Sequence, residues 1–225
     1  MKVIILAAGQ GTRLLPITLE TPKPLIEIAG RPIIDRIFQS LPDSIDEAII
    51  VVEHLKEKII SHLGESFNGM KVRYVDQINK KGTFAALLSA KDLLEENERF
   101  LVLNGDDIHD KVELTEYLNY PRSFGVQYMN MPNYYSIKMD EKNYIKGFFP
   151  QTDQEKKGKV VVATGAYVLD KNIFEHQGVS VYGGELGLPQ TILAQKESHP
   201  VKGIITTRWI TINSFEDIER TNFLL

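Results

Sequence analysis

The stretch Met1-Lys2-Val3-Ile4-Ile5-Leu6-Ala7-Ala8-Gly9-Gln10-Gly11-Thr12-Arg13, followed by Pro16 and then by Pro22-Lys23-Pro24-Leu25, decides how this chain is read. The apolar run Val3 to Leu6 reads as a buried strand. It feeds a glycine-rich loop that ends in a hydroxyl and a guanidinium. Gly9 and Gly11 let the backbone turn sharply and approach a ligand closely. Successive N–H groups in such a loop form a concavity for anions. Arg13 offers a planar fork to phosphate oxygens, and Lys23, between two prolines, a mobile point charge. Each part suits a nucleoside triphosphate. Two rival glycine motifs fail. A dinucleotide-binding fingerprint needs a third glycine where Leu14 stands, and a P-loop needs a Gly-Lys-Ser/Thr tripeptide that does not follow this loop.

Outward from this stretch, apolar runs alternate with helical patterns. Strands are expected at Val3–Leu6, Ala48–Val52, Val72–Val75 and Phe100–Leu103. Helices are expected at Ile33–Leu41, with Pro32 at its start, at Leu55–Leu63 and over the long stretch Thr83–Glu95. Such alternation argues for an open, Rossmann-like α/β sheet with right-handed crossovers. After Tyr120 the pattern shortens. Ser123–Met129, Tyr134–Met139 and Tyr144–Phe149 read as a small antiparallel insertion, and Val160–Leu169 as a return to the main sheet. Thr152–Lys159 reads as a polar, mobile loop. The end reads as strands at Val201–Thr206 and Trp209–Ile212, then a helix capped by Ser214 with Asp217 three residues on.

Composition bounds the class. The chain has 225 residues, 43% apolar and 25% charged, which suits one α/β domain with a sizeable core. A net charge of −4 gives no global footprint for nucleic acid. With no cysteine, neither a disulfide framework nor cysteine-ligated zinc is available, which fits a cytoplasmic setting. The apolar N-terminus is too short for a secretory signal, and no run reaches the length of a membrane span. His54, His62, His109, His176 and His199 show no metal-ligand spacing.

Open α/β sheets bind ligands at the carboxyl ends of their strands. The glycine loop follows the first strand, Gln77 the third and Asp106 the fourth, so all three fall on one edge. Asp106 suits Mg²⁺, which takes one or two carboxylates together with phosphate oxygens and water. Read alone, Asn104-Gly105-Asp106 is also an ordinary turn. Asp107 either assists Asp106 or, the reading preferred here, faces solvent or caps the next element. The Gln77 carboxamide can accept from an imide N–H and donate to the adjacent carbonyl, the pattern of uracil and thymine.

The N-terminal motif resembles the signature of the sugar-nucleotide pyrophosphorylases, the nucleoside triphosphate transferase family, in which Leu-Ala-Ala-Gly-x-Gly-Thr-Arg is followed by Pro-Lys-Pro-Leu. The resemblance implies that Leu6, Ala8, Gly9, Gly11 and Thr12 bind the nucleotide, that Arg13 and Lys23 act on the phosphates, and that Gly105-Asp106 supplies the Mg²⁺ ligand. Gln77-Ile78-Asn79-Lys80-Lys81-Gly82-Thr83 resembles the family's base-reading stretch, which adds Gly82 and Thr83 to the nucleotide set. Thr164-Gly165 and Gly184-Glu185 resemble the acceptor contacts, so Gly165 and Glu185 are the acceptor candidates; for Glu185 a helix-N-terminal role reads equally well. The implied organisation is a short single-domain form, 1–225, without the C-terminal β-helix of many relatives. Residues 1–110 form its nucleotide half and 111–225 its acceptor half. Homo-oligomers occur in the family.

Three departures stand in the second half. Tyr135-Ser136-Ile137 replaces Tyr-Gly-Val, Phe148-Phe149-Pro150-Gln151 stands where Glu-Lys-Pro is usual, and Trp209-Ile210-Thr211-Ile212-Asn213-Ser214 replaces Trp-x-Asp-x-Gly-Thr. Thr211 thus takes the place of the family's second metal aspartate, and Asn213 offers only a neutral carbonyl. Three functions follow from these readings. The first is transfer from a nucleoside triphosphate, UTP or dTTP favoured, to a sugar 1-phosphate. The second is cytidylyl transfer to another phosphate monoester such as phosphocholine. The third is a non-catalytic nucleotide-binding regulatory subunit.

Overall fold

The computed structural model describes residues 1–77, 81–130, 135–153 and 158–224. Eight strands form the main sheet: β1 (Lys2–Leu6), β2 (Glu47–Val52), β3 (Ser66–Phe67), β4 (Met70–Asp76), β5 (Arg99–Asn104), β6 (Ser123–Met129), β7 (Val160–Asp170) and β8 (Lys202–Ile205). Their spatial order is β8-β6-β7-β5-β1-β2-β4-β3. β4, β2, β1 and β5 run parallel, as do β6 and β8. β7 is antiparallel to both its neighbours, β5 and β6.

The sheet is sandwiched because its central strands are apolar on both faces. Val3 and Ile5 point into one cluster with Ile33, Ile34 and Ile37 of α1 (Ile33–Ser40), Ile59 of α2 (Lys56–Leu63) and Leu114 of α4 (Lys111–Tyr117). Ile4 and Leu6 point into the other, with Phe84 and Leu87 of α3 (Thr83–Ser89) and Ile192 of α5 (Leu188–Ala194). Each buried isoleucine contributes about 2 kcal/mol, so a strand buried on both faces anchors the fold far better than a half-exposed one. The parallel strands wind outward from β1 in both directions. This places a topological switch point between β1 and β5, at their carboxyl ends.

Four sequence expectations change. Ser123–Met129 is not part of an insertion: as β6 it pairs with β7 and β8 inside the main sheet, with Phe124 and Val126 fully buried. Of the expected insertion, Tyr135–Met139 and Ile145–Pro150 form an antiparallel ribbon apart from the main sheet; Tyr134, where that strand was expected to begin, lies outside the described residues, as do 154–157 of the expected loop. The long helix 83–95 stops at Ser89, and a 3₁₀ turn at Lys91–Leu93 carries the apolar spacing onward. Two helices lack a counterpart in the periodicity. α4 is capped by Asp110, whose side chain accepts from the backbone of Val112 (2.9 Å) and Glu113 (3.1 Å). α5 carries Pro189 in its first turn. The last helix, α6 (Phe215–Leu224), starts as expected: Ser214 and Asp217 exchange hydrogen bonds at 3.0 and 3.2 Å. Among the described residues no helix is long and apolar enough to cross a membrane.

Candidate active site

Two loops leave the sheet side by side at the switch point. The Gly105 N–H donates to the Leu6 carbonyl at 3.0 Å, so the turn after β5 lies against the loop after β1. A Cβ at position 105 would sit 2.9 Å from that carbonyl oxygen, too close for any residue but glycine. A cleft of about 600 Å³ opens here. Leu6, Ala8, Gly9, Gly11, Thr12, Lys23, Gln77, Gly82, Thr83, Asp106 and Glu185 all line it. Arg13 lines an adjoining hollow of about 180 Å³ together with Lys23, Asp106 and Asn213. Positions spread over nearly the whole chain thus converge on one concavity.

At its centre the Lys23 ammonium donates to Asp106 Oδ2 at 2.5 Å. Asn213 Oδ1 accepts from both Lys23 Nζ (3.2 Å) and Arg13 Nη2 (2.9 Å). The side chains of Lys23 and Asp106 are 12% and 27% exposed, so the pair is shielded but open to a ligand from the cleft. Two cations, Arg13 and Lys23, therefore share the Asn213 carbonyl oxygen at this end of the cleft. The oxygen donors Asp106 and Asn213 are hard ligands that suit Mg²⁺. Among the described residues no three His, Cys, Asp or Glu side chains gather into a metal site.

Asp107 corrects an expectation. It does not face solvent but is 3% exposed beneath Asp106. Its Oδ1 accepts from Trp209 Nε1 at 3.0 Å and its Oδ2 from Asn104 Nδ2 at 2.9 Å. Burial pushes the Asp107 carboxyl up to about 8, the neighbouring charge of Asp106 adds to this, and hydrogen bonds from Thr211, Asn104 and Trp209 act against it. Gly165 does not line the cleft. It holds φ +76° against this same group, and a Cβ there would lie 2.0 Å from Asp107 Oδ2. The geometry gives Gly165 the task of making room for a buried carboxylate.

The far wall of the cleft is tied to the segment 81–83 that opens α3. Gln77 is anchored by its N–H, which donates to the Val52 carbonyl at 2.9 Å; Ile78, Asn79 and Lys80, which follow it in the expected base-reading stretch, lie outside the described residues. Beyond them the Leu186 N–H donates to the Lys81 carbonyl (2.8 Å), and the Leu188 N–H to Thr83 Oγ1 (2.9 Å). Gly82 sits between these contacts at φ +104° and ψ 166°, a region open only to glycine. A Cβ there would meet the Leu186 carbonyl oxygen, 2.4 Å from its position. Gly82→Ala is therefore expected to destabilise the fold by about 2 kcal/mol or more and to weaken nucleotide binding with it. Parallel urea melts and nucleotide titrations check this; wild-type values in both would refute it.

Sequence reasoning passed over Glu53, Lys81 and Gln190, which also line the cleft. Glu53 follows β2, so the rule already applied to the ends of β1, β4 and β5 could have found it. Gln190 stands on α5, the helix that periodicity missed. The ribbon residues Tyr135-Ser136-Ile137 and Phe148-Phe149-Pro150 are not among the lining.

Comparison with known proteins agrees with this geometry. A family model described as nucleotidyl transferase matches residues 2–184. The bifunctional protein GlmU of Methanocaldococcus jannaschii is 33% identical over 226 residues, covering 99% of this chain and 53% of that protein. The UTP–glucose-1-phosphate uridylyltransferase AglF of Haloferax volcanii is 38% identical over 109 residues, 48% of this chain and 44% of that protein. The chain thus spans about half the length of the curated relatives it matches. Among solved structures, a UDP-glucose pyrophosphorylase complexed with UDP-glucose superposes with a TM-score of 0.83 over 99% of this chain and 97% of that one, at 22% identity, a likeness of fold.

Proposed function

The chain belongs to the nucleotidyl transferase family, and from that premise we propose that it condenses a nucleoside triphosphate with a sugar 1-phosphate, giving a nucleotide sugar and pyrophosphate. The observation that carries this reading is the Lys23–Asp106–Asn213–Arg13 constellation at the switch point, beside a glycine loop whose N–H groups are suited to phosphate. An oxygen of the acceptor phosphate attacks the α-phosphorus. The bond from the α-phosphorus to the bridging oxygen breaks opposite it, and that oxygen leaves with the β- and γ-phosphates as pyrophosphate. No covalent enzyme intermediate is required. Catalysis is then positioning and charge neutralisation.

In this reading the backbone of Gly9 to Thr12 cradles the triphosphate, and Arg13 and Lys23 neutralise the oxygens that gain charge as pyrophosphate departs. Leu6, Ala8, Gly82 and Thr83 enclose the nucleoside, and Gln77 reads the base, with UTP or dTTP favoured. Glu185 accepts from acceptor hydroxyls, while Gly165 acts from beneath the site. Asp106 and the Asn213 carbonyl would hold Mg²⁺, which supplies Lewis-acid stabilisation of phosphate charge. Residues 1–110 are assigned to the nucleotide half and 111–225 to the acceptor half. A relative named for UTP and glucose 1-phosphate supports this choice of substrates.

The test is pyrophosphate release with Mg²⁺ across UTP, dTTP, CTP, GTP and ATP, each with sugar 1-phosphates, phosphocholine and similar monoesters. Turnover with UTP or dTTP and a sugar 1-phosphate is expected. Turnover only with CTP and phosphocholine would replace this reading with cytidylyl transfer. Nucleotide binding without turnover would point to the regulatory subunit, the reading that Thr211 and the absent Glu-Lys-Pro favour.

A further inference from the structure

Gly187, in the far wall of the cleft, has no backbone reason to be a glycine. It ends the short strand Leu186–Gly187, which pairs antiparallel with Val179–Ser180. Its φ of −85° and ψ of 124° are open to any residue. Space is what a side chain would lack there. A Cβ at position 187 would overlap Gln190 Oε1 and stand 2.9 Å from Val181 Cγ1. The Gln190 carboxamide, three residues along on α5, thus folds back and fills the place of the missing side chain.

That place has a direction. Alternate residues of an extended segment share a face, so position 187 points the way position 185 does. Glu185 is extended, at φ −69° and ψ 151°. Between the two, Leu186 packs against the apolar cluster of Ile4 and Phe84. Glu185 and Gln190 both line the cleft. The Gln190 amide therefore stands beside the Glu185 carboxylate as its neighbour on one face, with backbone positions about 6.7 Å apart. Among the described residues neither side chain makes a hydrogen bond or an ion pair. The mount is stiff on both sides of Gln190. The Leu188 N–H donates to Thr83 Oγ1 (2.9 Å), and the Thr191 hydroxyl donates to the Gly187 carbonyl (2.7 Å) while accepting from the Val179 N–H (2.9 Å). Two polar groups with open hydrogen-bonding capacity are thus held side by side toward the cleft.

We infer that Gln190 is a specificity residue for the acceptor, and that with Glu185 it reads neighbouring hydroxyls of a neutral sugar ring. A carboxylate only accepts, whereas a carboxamide both donates and accepts. Ring hydroxyls answer both, since each carries one hydrogen and two lone pairs. The quaternary ammonium of phosphocholine carries no N–H or O–H. It would leave the amide without a partner once water is displaced, which costs affinity. The inference rests on the proposed nucleotidyl transfer and narrows its acceptor.

Pyrophosphate release at saturating nucleotide, with glucose, galactose and mannose 1-phosphates as acceptors, gives the first readout. For the sugar with the highest kcat/KM, Gln190→Leu is expected to raise the acceptor KM about tenfold, with kcat within about threefold and the nucleotide KM within about twofold. Gly187→Ala leaves the amide in the chain but pushes it out of place, and should raise the acceptor KM about threefold or more. In a Gln190→Ala background no amide remains to be displaced, so Gly187→Ala should then change that KM by less than about twofold. If the glycine served only to spare Val181, the loss would be equal in both backgrounds. The second readout needs no turnover. In isotope-labelled protein, the side-chain NH₂ signals that Gln190→Leu removes should shift with at least one of the three sugar 1-phosphates and stay in place with inorganic phosphate. Emission of Trp209, the sole tryptophan, checks that each variant is folded. An unchanged acceptor KM in Gln190→Leu, equal Gly187→Ala losses in both backgrounds, or NH₂ signals that ignore every sugar would overturn the inference. A wild-type chain that releases no pyrophosphate with any pair would instead overturn the proposed function, and the NH₂ titration would still decide the role of Gln190.

Discussion

Asp106→Asn should cut Mg²⁺-dependent pyrophosphate release about a thousandfold while leaving the fold intact. The substitution is isosteric, so it opens no cavity. It removes the one charge among the described residues that the Lys23 ammonium touches and half of the oxygen donor set. Two consequences add. The cation loses its best ligand, and Lys23, no longer held at the mouth of the turn, becomes free to swing away from where the leaving pyrophosphate needs it. Stability is a separate matter. A half-shielded ion pair of this kind is worth about 1 kcal/mol or less, which for a chain of this size moves Tm by no more than about 3 °C. Steady-state assays and a thermal melt on one preparation check both halves. Activity within threefold of wild type would remove Asp106 from the mechanism, and a collapse in Tm would mark it as structural.

The contrast between Asp106 and Asp107 shows how far the sequence could be read. The strand-end rule put Asp106 at the cleft, where the structure also has it, because the rule depends on the backbone alone: in an open α/β sheet the residues just past the parallel strands share one edge. The same rule is silent on which of two adjacent carboxylates points out. That depends on Trp209, Asn104 and Thr211, two of which lie about a hundred residues away. Gly165 was legible as a special position but not for the right partner, since its left-handed φ answers to Asp107 rather than to the cleft. In the fold, the strands β1, β2 and β5 were legible because burial on both faces leaves uninterrupted apolar runs. β6 was misread as an insertion because Tyr128 is exposed beyond the buried Phe124 and Val126, and an alternating pattern does not say which sheet it joins. α4 announced itself only through Asp110-Lys111-Val112-Glu113, a capping signal that the shortness of the helix concealed.

The site is also where this chain departs from local ease. It buries a carboxyl beneath another carboxylate, and two residues along from them it buries His109, 6% exposed with no partner for Nε2 among the described residues. His109 yields the second large expectation. Burial pulls its imidazole from the ordinary 6.5 down to about 3, because the charged form would be cut off from water. Below pH 6.5 the unfolded chain takes up a proton there that the folded chain refuses. The contribution of His109 to stability is therefore complete above pH 6.5 and is lost as pH falls toward 3, about 5 kcal/mol in all. Asp107 works with the opposite sign. Its folded value near 8 lies above the unfolded 3.8, so between those values the folded chain holds the extra proton, and stability falls as pH rises. From about pH 4 to 6.5 the two slopes oppose each other, and the wild-type curve understates both. Comparison with His109→Leu isolates the histidine, since Asp107 is common to the two chains. The stability of the wild type relative to His109→Leu should drop by about 3 kcal/mol between pH 7 and pH 4.5. Urea melts at half-unit steps of pH measure that difference directly. A constant difference across this range would mean that His109 is hydrated or paired in solution, and that acid unfolding of this chain begins elsewhere.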